Sequence, residues 1–260
     1  MIKAQKKYRV FAIAAHPDDI EFGMSGTLFL LKKAGCEIHY MNIANGSCGT
    51  AEYDEETIVA MRLQEAINAA QHLDATFYPP LVPDFEIYYT REILIKLASI
   101  YRDVAPDILL VPSPEDYMED HMNACRLAVS AAFGRGMQNY FVDPQREPIS
   151  KEVVIYHAQP HGNRDLLNRI VHPDFFINIE EVLEEKTAML AEHKSQKHWL
   201  DVSQGFNAYL NTMKDLGREI GELSEKFEYA EGWRRHNPIG FCSPDADPLT
   251  EILPEYFHSV

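Results

Sequence analysis

No stretch of this sequence approaches the length of apolar chain that spans a bilayer, and both cysteine and positive charge are scarce. Its four cysteines, Cys36, Cys48, Cys125 and Cys242, are scattered without a C-x-x-C pair. That excludes a disulfide scaffold and points to a reducing cytoplasm, with each thiol a small buried side chain. Lysine and arginine number 24 against 40 aspartates and glutamates, a formal net charge of -16. Such a balance repels a phosphate backbone and anionic headgroups, so neither nucleic acid nor a membrane surface is an expected partner. Internal repeats, low-complexity linkers and charge blocks are also missing, so residues 1–260 are expected to form one domain. The lysines and apolar residues near the start look superficially like a secretion signal. The apolar part covers only residues 10–15 and runs straight into His16-Pro17-Asp18-Asp19, so it reads as a first strand.

What the chain does have is a regular alternation of short apolar runs and longer amphipathic segments. Residues 10–15 and 37–44 read as strands, separated by a helix that begins at Gly26 and stops at Gly35. Helices over 55–73, 91–104 and 121–133 enclose further strands at 75–78 and 107–111. Beyond Phe133 the pattern loosens, with strands expected at 152–156 and 175–179 and helices at 180–193 and 207–227. This predicts an α/β fold: a Rossmann-like, mostly parallel sheet with helices on both faces and a C-terminal strand and helix extension.

In open sheets of this kind ligands collect at the carboxyl ends of the strands. Two such ends carry metal-binding and acid–base groups: A-H-P-D-D after the first strand, and E-D-Y-M-E-D-H after the strand at 107–111. Zinc takes imidazole and carboxylate ligands, and a catalytic site leaves a fourth position open. His16 and Asp19, three apart across a proline turn, can grip one ion while Asp18 stays free to act on water, and His121 can supply a third ligand. Each segment also has an ordinary reading, with the aspartates capping the following helix and Asp120 as a plain N-cap. Their joint occurrence at two strand ends favours the metal. A dinucleotide site fits poorly, since Gly23 and Gly26 lack the required spacing and Asp18, Asp19 and Glu21 would repel a pyrophosphate.

The segments A-H-P-D-D-I-E, G-T-L-F-L-L-K-K-A-G, R-L-Q-E, the D-H opening a helix, and E-E-K-T-A-M-L-A-E-H-K-S-Q together resemble the PIG-L/LmbE-like family of zinc-dependent N-deacetylases, from about residue 11 to 196. The resemblance implies zinc held by His16, Asp19 and His121, with Asp18 as general base. It implies that Arg62 lines the pocket near the substrate or the departing acetate; the plainer alternative is an exposed arginine paired with Glu65. The implied reaction is hydrolysis of the N-acetyl group of an acetylated amino sugar or sugar conjugate, and family members are often homo-oligomers. Rival readings are the same site acting on a non-sugar amide, and a catalytically impaired protein that only binds metal or sugar. The retained Asp18 speaks for an enzyme.

One position departs from the family. Where H-P-D-H is common, this chain has Met118-Glu119-Asp120-His121, so a histidine that helps stabilise the transition state is missing. His157 and His161, in Y-H-A-Q-P-H-G, are candidate substitutes. His161 is preferred because Pro160 and Gly162 make a turn that can aim it inward, with Asp120 available to orient an imidazole. His193, Ser195 and Gln196 match the family's H-x-S-Q segment and are read as a polar helix end satisfying its own carbonyls.

Overall fold

The computed structural model describes residues 7–198 and 208–259. The chain runs β1 (Arg9–Ala14), α1 (Asp19–Gly23), α2 (Ser25–Lys33), β2 (Glu37–Asn42), α3 (Glu55–His72), β3 (Thr76–Tyr78), α4 (Arg91–Val104), β4 (Ile108–Val111) and α5 (Glu119–Phe133). It continues with β5 (Val154–Ala158), β6 (Phe175–Asn178), α6 (Leu183–Leu190), α7 (Ala208–Leu223), β7 (Ala230–Arg235), α8 (Pro248–Ile252) and β8 (Phe257–His258).

The apolar run of β1 is explained by burial on both faces. Val10, Ala12 and Ala14 pack with α2 and Trp233 in one core layer, whereas Phe11 and Ile13 pack with α4 and α5 in the other. Eight strands form one sheet in the order β3-β2-β1-β4-β5-β7-β6-β8. The first five are parallel to one another, and β7, β6 and β8 extend the sheet with antiparallel pairings. The chain passes from β1 to β2 on one side and later returns to β4 on the other. A crevice is therefore left at the carboxyl ends of β1 and β4, where the connections diverge. Among the described residues, no helix is long and apolar enough to cross a membrane.

The predicted elements need several corrections. Helix α5 starts at Glu119, two residues earlier than expected, and its N-cap is Met118 without a side-chain cap. Asp120 therefore lies inside the first turn and is no N-cap. The expected helix at 180–193 is a 3-10 turn, Glu180–Val182, followed by the shorter α6. Its counterpart at 207–227 ends at Leu223, and residue 207 lies outside the described residues. Strand β7, A-E-G-W-R-R, was not anticipated, because its polar residues hide the strand pattern.

Candidate metal centre

Immediately after β1 the chain turns sharply through His16-Pro17-Asp18 into α1. The turn is tied by Asp19, whose carboxylate accepts the backbone N–H of His16 at 2.8 Å, and by Asn42, whose amide donates to the His16 carbonyl. Asp18 has a φ of 113°, a left-handed conformation that costs a non-glycine residue roughly 1–3 kcal/mol. From the other side of the crevice, the loop after β4 and the first turn of α5 deliver Asp116, Asp120 and His121.

His16, Asp19 and His121 offer one donor atom each within 4.8 Å of one another. Asp19 Oδ2 is 3.6 Å from His16 Nδ1, and Asp19 Oδ1 is 3.4 Å from His121 Nε2. The outward nitrogen of each ring is held by a second carboxylate, His16 Nε2 by Asp120 at 3.0 Å and His121 Nδ1 by Asp116 at 2.9 Å. This is the arrangement that fixes metal-binding imidazoles and raises their basicity. Burial alone would lower the His16 pKa, but Asp120 and Asp19 push it up to about 10. The carboxyl of Asp19 sits well below the usual range despite burial, because His121 and His16 face it. Three inward donors, two oriented imidazoles and an open cleft fit a cation with a free coordination position.

Asp18 stands next to this triad but is turned to other partners. Its Oδ2 accepts from Tyr209 Oη at 2.8 Å, and its Oδ1 lies 3.7 Å from the Arg62 guanidinium. Burial raises its pKa, with Arg62 working against that rise. Arg62 is buried, not exposed; it donates to the carbonyls of Pro17 and Gly46 and does not pair with Glu65. Gly46 and Gly49 make room for it, since a Cβ on Gly46 would stand 2.6 Å from Arg62 Cδ. Glu65 instead accepts both the backbone N–H and the hydroxyl of Ser195.

That contact corrects the reading of His193, Ser195 and Gln196 as a helix end closing its own carbonyls. His193 is fully buried beside Glu21 at 3.4 Å, and Gln196 donates to the Gly49 carbonyl from the wall of the cleft. Asp120 is likewise engaged by His16 and by the Phe85 backbone N–H, not by His161. The carboxylate near His161 is Asp116, which accepts its backbone N–H at 3.0 Å. The His161 ring lies at the rim between Phe22 and Tyr117, 5.3 and 5.8 Å away by centroid. His157 does not line the cleft. It is buried against Pro112, Cys125 and His236, and burial drives its pKa down to about 4. Asp116 and Tyr209 escaped the sequence reading; the first lies within the quoted E-D-Y-M-E-D-H, but the second has no motif.

His16, Asp18, Asp19, His121, Arg62, Met118 and His161 line one cleft of about 370 Å³, and a smaller cavity of about 70 Å³ opens beside it past Phe22, Met24, Ile220 and Ala230. The sequence model of the family described as PIG-L: GlcNAc-PI de-N-acetylase matches residues 11–133. A diacetylchitobiose deacetylase of Thermococcus kodakarensis is 29% identical over 233 residues, covering 87% of this chain and 82% of its own. A 4-oxalmesaconate hydratase of Pseudomonas putida is 27% identical, with 72% and 73% covered. The solved N,N'-diacetylchitobiose deacetylase of Pyrococcus horikoshii shares the fold, with a TM-score of 0.76 at 23% identity over 93% of this chain and 88% of that one.

Proposed function

We propose, from the premise that residues 11–133 are a PIG-L family domain, that the protein is a zinc-dependent hydrolase that removes the N-acetyl group of an acetylated amino sugar or sugar conjugate. The observation that carries the reading is the pairing of an oriented three-donor cluster, His16, Asp19 and His121, with the separate carboxylate of Asp18. The likeness to a diacetylchitobiose deacetylase supports the sugar.

When bound, zinc would supply the positive charge that acidifies water and polarises the acyl carbonyl. His16, Asp19 and His121 would hold it, and Asp120 and Asp116 keep both imidazoles facing inward. Asp18 takes the proton from the attacking water and passes it to the departing amine; its raised pKa suits a group that must accept and then release a proton. Tyr209 and Arg62 hold that carboxylate in place. His161 is the proposed donor to the developing oxyanion in place of the missing histidine at Met118. The sugar occupies the larger cleft, and the acyl methyl faces the smaller, mainly apolar cavity.

Four free thiols, Cys36, Cys48, Cys125 and Cys242, support a reducing cytoplasm as the setting. Exposed Leu166, Leu167 and Ile170 on one loop support self-association into a homo-oligomer. The likeness to a hydratase supports a second reading, water addition to an unsaturated carboxylate by the same site. A panel of N-acetylated sugars, N-acetyl peptides and unsaturated dicarboxylates decides between them. Equimolar acetate and free amine from the sugars are expected. Loss of an alkene absorbance without acetate would replace the proposal with the second reading.

A further inference from the structure

Two large aromatic side chains stand out in water at the wall of the cleft, Phe85 at 63% exposure and Tyr117 at 62%. Single exposed apolar residues are common and explain themselves. Phe85 differs, because its backbone has a φ of 63°, a conformation costly for a bulky L side chain. Strain of this kind persists only where the surroundings over-determine it.

Those surroundings are visible on both sides of the residue. Asp84 is buried and its carboxylate accepts the backbone N–H groups of Gly46 and Cys48 at 2.7 and 2.9 Å, binding this segment to the adjacent loop after β2. The Phe85 N–H donates to Asp120 Oδ2 at 2.7 Å, the same oxygen that holds His16. The ring is thus kept out of the core, one carboxylate away from a proposed metal ligand. Tyr117 is fixed comparably, its ring edge-to-face on His121 at 5.6 Å and tilted against His161.

We propose that Phe85, with Tyr117 as the other exposed aromatic wall of the cleft, is an aromatic platform for a second pyranose ring, so that the substrate is an amino-sugar disaccharide or longer, with a sugar beyond the one that loses its acetyl group. The inference rests on the proposed deacetylase reading and deepens it. A pyranose presents a face of C–H bonds that an aromatic ring can cover while its hydroxyls stay in water, which is the amphipathic match that binding clefts exploit. Covering part of a phenyl ring in this way is worth about tenfold in affinity.

The test compares N,N'-diacetylchitobiose with N-acetylglucosamine on the zinc-loaded protein. Phe85→Ala should lower the disaccharide-to-monosaccharide ratio of kcat/KM about tenfold, chiefly through the disaccharide KM, and Phe85→Tyr should restore it. Phe85→Gly should lose the same ratio while melting a few degrees higher, since glycine relieves the positive φ; a phenylalanine placed only for packing would lower the melting point. Binding is measured separately by calorimetric titration of diacetylchitobiose into Asp18→Asn and into the Asp18→Asn, Phe85→Ala double variant, where about tenfold weaker binding is expected. An unchanged ratio together with unchanged binding overturns the platform and leaves the deacetylase reading standing. Platform-dependent binding without acetate release by the parent protein overturns the deacetylase reading alone.

Discussion

His121 Nδ1 stands 2.9 Å from Asp116 Oδ1, and the same carboxylate accepts the backbone N–H groups of Met118 and His161. One buried aspartate thus fixes a proposed ligand's ring, the start of α5 and the loop that carries the candidate oxyanion donor. Asp116→Ala should lower zinc affinity by about 10–100-fold, the usual effect of removing a carboxylate behind a ligating histidine. His121→Ala should abolish stoichiometric zinc. Metal analysis after dialysis against a graded chelator series checks both, and full zinc retention in His121→Ala would dismiss the ligand set.

Asp18 and Tyr209 make a second testable pair. Asp18→Asn should keep its zinc and lose at least about a hundredfold in acetate release, as expected of a general base. Tyr209→Phe leaves the carboxylate but removes its positioning bond, and turnover should fall by about tenfold. Near-parental turnover in Asp18→Asn would move the base elsewhere.

The substitute for the missing histidine can be tested at His161. A preorganised donor to an oxyanion is worth about 10²–10³ in rate, so His161→Ala should lose a comparable factor with zinc content unchanged. Met118→His in that background should recover part of it, because Met118 lines the same cleft. If His161→Ala turns over normally, no substitute donor acts from that loop.

Much of this candidate site was readable in the sequence because its proposed ligands and their neighbouring carboxylates sit in compact segments at strand ends: His16, Asp18 and Asp19 in one turn, Asp120 and His121 in another. The core strands were readable for a related reason, since a strand buried on both faces must be apolar throughout. Tyr209 was not readable, because its relation to Asp18 exists only once the chain has folded across 191 residues. Strand β7 was hidden by its own chemistry. Glu231 is buried there, with Lys186 and the N–H groups of Gly26 and Thr27 satisfying its charge, and no periodicity announces such an arrangement. Arg62 shows the converse. Its motif was visible, but its burial, for which Gly46 and Gly49 make room, was not.

His157 provides a pH prediction independent of the metal. Burial lowers its folded pKa to about 4 from an ordinary 6.5, so the unfolded chain takes up a proton first as pH falls. The stabilisation is fully present above pH 6.5 and is lost towards pH 4, a contribution of roughly 3 kcal/mol. His157→Gln should therefore lose less stability than the parent protein between pH 7 and 4.5 in urea titrations. Parallel losses would show that this histidine does not drive the acid sensitivity.

The placement of β1 to β4 ahead of everything else has a consequence for the chain as it is being made. His16, Asp19 and His121 all lie within the first 121 residues to be synthesised, together with the half of the sheet built from β1 to β4, whereas Tyr209 follows 88 residues later. At ordinary translation speeds of about 5–20 residues per second, that is a gap of roughly 4–18 seconds. A nascent chain in that interval carries all three proposed ligands while the proposed base still lacks its tyrosine partner, so on the proposed reading the means to hold an ion precede the means to use it.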